Sequence, residues 1–184
     1  LTVMEETKEF AERLQSGKNL PLITSCCPAW AMLAKKQFPQ LIDKVSQSLT
    51  PMVATARRIK QRTPEARVVF IGPCAAKKLE ASRASVRSDV DFVITFEELS
   101  GIFAAKDIDF SKYVGLRSLH EATGAGRGYA VAGGVSSAIE RCVQAYYPDV
   151  EVKIEHAEGL EECKKMLLLE KAGKKNGCLI EGMG

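Results

Sequence analysis

"PLITSCCPAW", residues 21–30, packs an apolar strand, a corner and the start of a helix into one short stretch. Leu22 and Ile23 read as strand. Pro28 suits the first turn of a helix, where its missing N–H costs nothing. Cys26 and Cys27 lie at the corner between them. Adjacent residues point in different directions, so this pair is badly placed to chelate one ion or to bond to each other. Two thiols with two separate tasks is the better reading. A second corner of this kind follows in "VVFIGPCAAKKLEA", residues 68–81. Its fully apolar strand is of the type buried on both faces, and it ends at Pro73-Cys74. Lys77 follows three residues later. A cation beside a thiol favours the thiolate that binds metal, although a buried cysteine before a solvated helix start explains this segment equally well.

Working outward, strand and helix patterns alternate. "TVMEETKEFAERLQSG", residues 2–17, is amphipathic and closes at Gly17. At 100° per residue, Val3, Phe10 and Leu14 share one face. Glu6 lies at the edge of that face, Glu9 further round, and Arg13 between them in angle; Glu5 and Glu12 point away as solvated carboxylates. A half-buried Glu has a raised pKa, which suits proton relay. Thr50 and Pro51 read as N-cap and first residue of a helix over "MVATARRIKQR", and Thr95 as the cap within "DFVITFEELSGIFAAK". "GAGRGYAVAGG", residues 124–134, is a glycine-rich turn feeding the helix "VSSAIERCVQAYY". "VEVKIEHAEG" alternates as a strand, "LEECKKMLLLEKAG" is helical, and "NGCLIEGMG" is a last strand.

This order implies an α/β fold, with mostly parallel sheets flanked by helices. It is read as two lobes with a boundary within residues 107–124, where no clear period runs. In open α/β sheets, ligands gather at the carboxyl ends of strands. Cys26, Cys27, Cys74 and "EGMG" all fall at such ends. The spacing G-x-G-x-G in the glycine-rich turn is a poor match to a dinucleotide loop, and no clear strand precedes it. His120 and His156 read as structural, and Trp30 as a core anchor.

Bulk properties bound the function. A net charge of +3 is too small to argue for nucleic acid or anionic lipid, and no apolar run approaches a membrane span. Of the six cysteines, Cys142, Cys163 and Cys178 sit in helical or strand patterns as small hydrophobes. A reduced, cytoplasmic chain with a few special thiols is expected.

"TSCCPAW" and "GPCAAKKLEA", with "FPQLIDKVSQSLTPM" between them and "DVDFVITFEEL" and "GAGRGYAVAGGV" after them, resemble the iron-only hydrogenase catalytic domain in order and over essentially the whole chain. The resemblance implies a cleft between the two lobes that houses the hydrogen cluster. This is a four-iron, four-sulfur cubane bridged by a cysteine to a two-iron subsite, where protons, electrons and dihydrogen are interconverted. It implies Cys27 and Cys74 as cubane ligands, and Cys26 as a free thiol that passes protons. Lys77, Pro51, Met52, Pro73 and Met183 are implied to line the cluster. The implied relay runs from Cys26 through Glu6, Ser46 and Glu9 to Arg13 at its exit. Ferredoxin or attached ferredoxin-like domains as electron donor, and hydrogenase maturation proteins, come with the family.

Departures qualify what the resemblance implies. The family's third signature supplies two further cysteines just after "EGM", so residues 1–184 are expected to be a partial catalytic domain that holds no cofactor by itself. Gly72 stands where ferredoxin-linked enzymes commonly have methionine, and Tyr129 where they have phenylalanine. "VVFIGPC" and "TPMVATARRIK" are closer to the sensory branch, so a hydrogen sensor joined to sensor or kinase-type domains is an alternative. A hydrogenase-like iron–sulfur assembly protein is another; that relative usually lacks the free thiol, so Cys26 weighs against it.

Overall fold

The computed structural model describes residues 2–113 and 123–183. It divides into two compact units. One combines Leu1–Pro51 with Ala122–Gly184, and the other is Met52–Glu121. The lobe boundary expected within residues 107–124 falls largely on residues 114–122, outside the described ones. The division at Pro51 carries no compositional signal, because strand pairing between the two ends of the chain creates it.

In the first unit, β1 (Leu22–Ile23) and β4 (Ile154–Glu158) flank β5 (Leu179–Met183), all parallel. The register sets Leu22 opposite Leu179 and Ile23 opposite Ile180. Successive strand residues face opposite sides, so this register sorts the core into two layers. Leu22 and Leu179 pack with Phe10 of α1 (Thr2–Ser16) and with Val135, Ile139 and Val143 of α7 (Gly134–Tyr146). Ile23 and Ile180 pack with Trp30, Leu33 and Ala34 of α2 (Pro28–Gln37) and with Met166 and Leu167 of α8 (Leu160–Lys171). The sheet is covered on both faces. Trp30 is fully buried, and a Cβ on Gly182 would lie 2.2 Å from its ring, so only glycine fits there.

In the second unit, α3 (Pro51–Arg62) begins at the proline expected to open it, and β2 (Val69–Gly72) pairs in parallel with β3 (Phe92–Thr95). Short helix α4 (Ala76–Ala81) follows the Cys74 corner. Thr95 caps α5 (Phe96–Ala105) in a reciprocal box with Glu98. Asp91 accepts the Val68 N–H at 2.7 Å and pairs with Lys60 at 2.8 Å, fixing the start of β2 to α3. The reading of β2 as a strand buried on both faces is corrected here. Val69 and Ile71 are exposed, as is Phe92 in register with Val69. Apolar composition shows that a strand can take cover on both faces, not that a layer is present on each.

Candidate proton-handling and metal-ligand site

Helix α1 sets the two carboxylates that matter in opposite surroundings. Glu6 is 3% exposed and faces the core. Its Oε2 accepts the Tyr129 phenol at 2.9 Å, while Oε1 has no partner among the described residues. Burial pushes its pKa up to about 7, with Glu9 and Glu181 adding repulsion; the phenol and the Ser25 backbone pull the other way. Cys26 is packed against the same core layer. Its thiol is pushed well above the ordinary range by burial first, then by the negative charges of Glu6 and Glu181. It is therefore a neutral thiol beside a carboxyl that titrates near neutrality. That pairing can hold and release a proton.

Glu9, one turn on, is the reverse case. Burial would raise its pKa, but donors outweigh burial and hold it below the ordinary value. Ser46 Oγ donates to Oε2 at 2.7 Å and Ser48 Oγ at 2.8 Å, the backbone N–H of Gln47 donates, and Arg13 pairs with Oε1 at 2.6 Å. Arg13 also donates to the Lys44 and Val45 carbonyls, tying α1 to the turn after residues Pro39–Lys44. Ser46, Glu9 and Arg13 are thus joined by direct hydrogen bonds. Ser46 gives its hydroxyl to Glu9 rather than to Glu6, so no direct bond joins Glu6 to that group. Glu5 and Glu12 are exposed, as expected.

Three features escaped sequence reading. Tyr129 is the hydroxyl partner of Glu6, 123 residues away in sequence. Ser48 is a second hydroxyl on Glu9. Glu181 is 2% exposed, and its Oε2 takes the Ser136 hydroxyl at 2.6 Å and the Ser136 N–H at 2.8 Å in the first turn of α7. The apolar neighbours of Glu181 in "CLIEGM" were the available sign that its carboxylate is buried.

The remaining candidates stand as follows. Cys27 occupies the N-cap of α2, yet its side chain makes no capping bond, so the sulfur is not committed to the helix. Met183 is the half-buried last residue of β5. In the second unit, Cys74 Sγ accepts the Ala76 N–H at 3.3 Å, Pro73 is exposed, and Met52 is buried in α3. Lys77 pairs with buried Glu80 at 2.9 Å. Pro51, half-buried, closes the first unit at the start of α3. All six cysteines are free, and Cys163 is fully buried, with burial pushing its thiol up to about 11. Trp30 anchors the core as expected; His120 lies outside the described residues.

Half-buried thiols at strand ends and a buried carboxyl titrating near 7 lie in an α/β domain of parallel sheets flanked by helices. The chain belongs to the family described as iron only hydrogenase large subunit, C-terminal domain, whose profile matches residues 1–184. Among its relatives, iron hydrogenase 1 of Clostridium pasteurianum is 28% identical over 99% of this chain and 35% of its own length. The large subunit of a periplasmic hydrogenase of Nitratidesulfovibrio vulgaris is 34% identical over 77% of this chain and 38% of its own length. The cytosolic Fe-S cluster assembly factor NAR1 of Kluyveromyces lactis is 37% identical over 51% of this chain and 20% of its own length. The chain thus spans little more than a third of the hydrogenase relatives. An apo FeFe-hydrogenase structure from Chlamydomonas reinhardtii matches all of this chain and 64% of its own, with a TM-score of 0.79 at 23% identity, which establishes the fold.

Proposed function

We propose that the natural protein carrying these residues interconverts protons, electrons and dihydrogen, and that this segment supplies proton handling and part of the cluster cradle. The observation that carries this reading is the buried Glu6 carboxyl, titrating near 7, against the neutral Cys26 thiol. In this reading a bound cluster supplies electrons and the place where dihydrogen is made or split. Cys26 gives a proton inward and regains one from Glu6; Ser46, Glu9 and Arg13 form the outer, hydrogen-bonded stage. Cys27 and Cys74 fit as thiolate ligands: one sulfur is uncommitted, and the other receives the kind of backbone hydrogen bond that cluster sulfurs take. Lys77, Pro51, Met52, Pro73 and Met183 would border the cluster. A cubane takes four ligands, and in this sequence the family resemblance assigns two of them, Cys27 and Cys74. These 184 residues alone are therefore expected to purify with no stable cubane, which iron analysis after anaerobic reconstitution checks. A ferredoxin-type donor, maturation proteins and a reduced, cytoplasmic setting complete the reading.

The test is hydrogen evolution by the natural protein with a reduced viologen. Cys26→Ala should keep the iron and lose turnover by about a hundredfold or more; Cys27→Ala should lose iron. Normal evolution from Cys26→Ala overturns the assignment. The likeness to the cytosolic assembly factor supports a second reading, iron–sulfur assembly. Cluster transfer to an apo-acceptor without hydrogen turnover would select it. Hydrogen-dependent signalling with little turnover would select the sensory alternative.

A further inference from the structure

The glycine-rich segment 124–134 is explained neither by a dinucleotide nor by the relay residues named above. Its geometry gives it a different task. One helical turn, α6 (Gly124–Gly128), ends at Tyr129, and Gly133, at φ +76°, opens α7. A Cβ on Gly134 would lie 1.9 Å from the Gly128 carbonyl oxygen and 3.2 Å from the Tyr129 Cα. The absence of a side chain at 134 therefore lets the turn fold down onto the start of α7 and seats Tyr129 against the Phe10–Ile139 core layer. From there the phenol reaches Glu6 Oε2.

We propose that Tyr129 is a positioning residue of the proton path: its phenol holds Glu6 Oε2, so that Oε1 is the oxygen that carries and passes the proton. The inference rests on the proton-transfer reading of Glu6. An oxygen already accepting an O–H is the poorer place for a second proton, and Oε1 has no competing partner among the described residues. When Oε1 releases its proton, the phenol stays protonated and its hydrogen bond to the carboxylate strengthens, because it is now charge-assisted. Nothing at Tyr129 is oxidised or transferred. Its own ionisation is pushed far above the ordinary range by burial and by the Glu6 charge, which keeps it a donor throughout.

The groups facing Glu6 are Glu9 on α1, Cys26 after β1, Tyr129 after α6 and Glu181 on β5, with the Ser25 backbone. Among the causes that favour the charged form, the Tyr129 phenol is the largest, ahead of the Ser25 backbone. Removing it should therefore move the Glu6 midpoint up. The experiment is a carbon-13 titration of the Glu carboxyls in the isolated protein with no cluster loaded, the Glu6 signal being assigned by its loss in Glu6→Gln. The midpoint should lie near 7 in the parent and about one unit higher in Tyr129→Phe, the size expected for one hydrogen bond to a charged group. Fluorinated tyrosine at 129 is a stronger donor of nearly the same shape and should move the midpoint down; this arm decides the matter should Tyr129→Phe fail to fold. A midpoint that stays put in the folded variants overturns the proposal, whereas loss of the hydrogenase reading would leave these shifts intact.

Discussion

At the end of β1, Cys26 and Cys27 sit in a unit whose sheet is covered on both faces, with carboxylates and a phenol drawn into the core beside them. At the end of β2, Cys74 sits in a unit whose two-stranded sheet leaves Val69, Ile71 and Phe92 exposed, and its sulfur receives a backbone N–H. Both corners use one backbone device, an apolar strand running into cysteine and a following helix. The difference lies in the partner each gives its buried carboxylate. At the first corner buried Glu6 has a neutral phenol for a partner and titrates near 7, whereas at the second the equally buried Glu80 is paired with the Lys77 cation at 2.9 Å.

The comparison can be broken most decisively through turnover. In the natural protein, Glu6→Gln should slow hydrogen production by about a hundredfold or more, since it keeps the shape and loses the ionisable oxygen. Exposed Glu12→Gln, on the far side of α1, should change little. Equal effects would remove the distinction between buried and exposed carboxylates.

Packing offers the next test. Leu179→Ala, at a fully buried position, should cost about 3 kcal/mol in chemical denaturation. Ile71→Ala, 44% exposed, should cost less than about 1 kcal/mol. Similar losses would mean that the second sheet is covered after all.

A pH series sharpens the contrast within α1. Glu6 is raised from 4.5 to about 7 on folding, so its contribution is full below its unfolded value and is lost as pH rises through 7. Glu9 is lowered, so its contribution is present above the unfolded value and is lost as pH falls through its folded one. Stability should therefore decline between about pH 4.5 and 7, by at most about 3 kcal/mol. Glu6→Gln should flatten that decline without touching the acid limb.

The smallest effect is at Ser48. Ser48→Ala removes one of several donors to Glu9 and should raise the Glu9 midpoint by only a few tenths of a unit, since Ser46, Gln47 and Arg13 remain. A shift of a full unit would make Ser48 the dominant donor.

Much of this was legible in the residues. Pro28, Pro51 and Thr95 mark helix starts because each removes or satisfies a backbone donor there, and Gly17 marks an end because glycine takes the left-handed conformation, φ +65°, that stops the helix. The angular spacing of Glu6, Glu9 and Arg13 on α1 already separated them from Glu5 and Glu12. Legibility stopped where the chain meets itself at long range. Tyr129 and Glu181 reach the site through sheet pairing and a glycine-permitted close approach, neither of which leaves a local period. The exposure of β2 was misjudged because hydrophobicity describes a residue, while cover depends on a neighbouring layer.

Trp30 has one further consequence. It is the chain's sole tryptophan, fully buried against the Gly182 backbone three residues from Cys27, and its indole N–H finds no acceptor among the described residues. A fluorophore in such dry surroundings emits toward the blue, and an iron centre on the neighbouring thiolate would quench it. On the proposed ligand role of Cys27, the corner would carry its own optical gauge, following metal arrival or loss, and in any case local loosening, without a label.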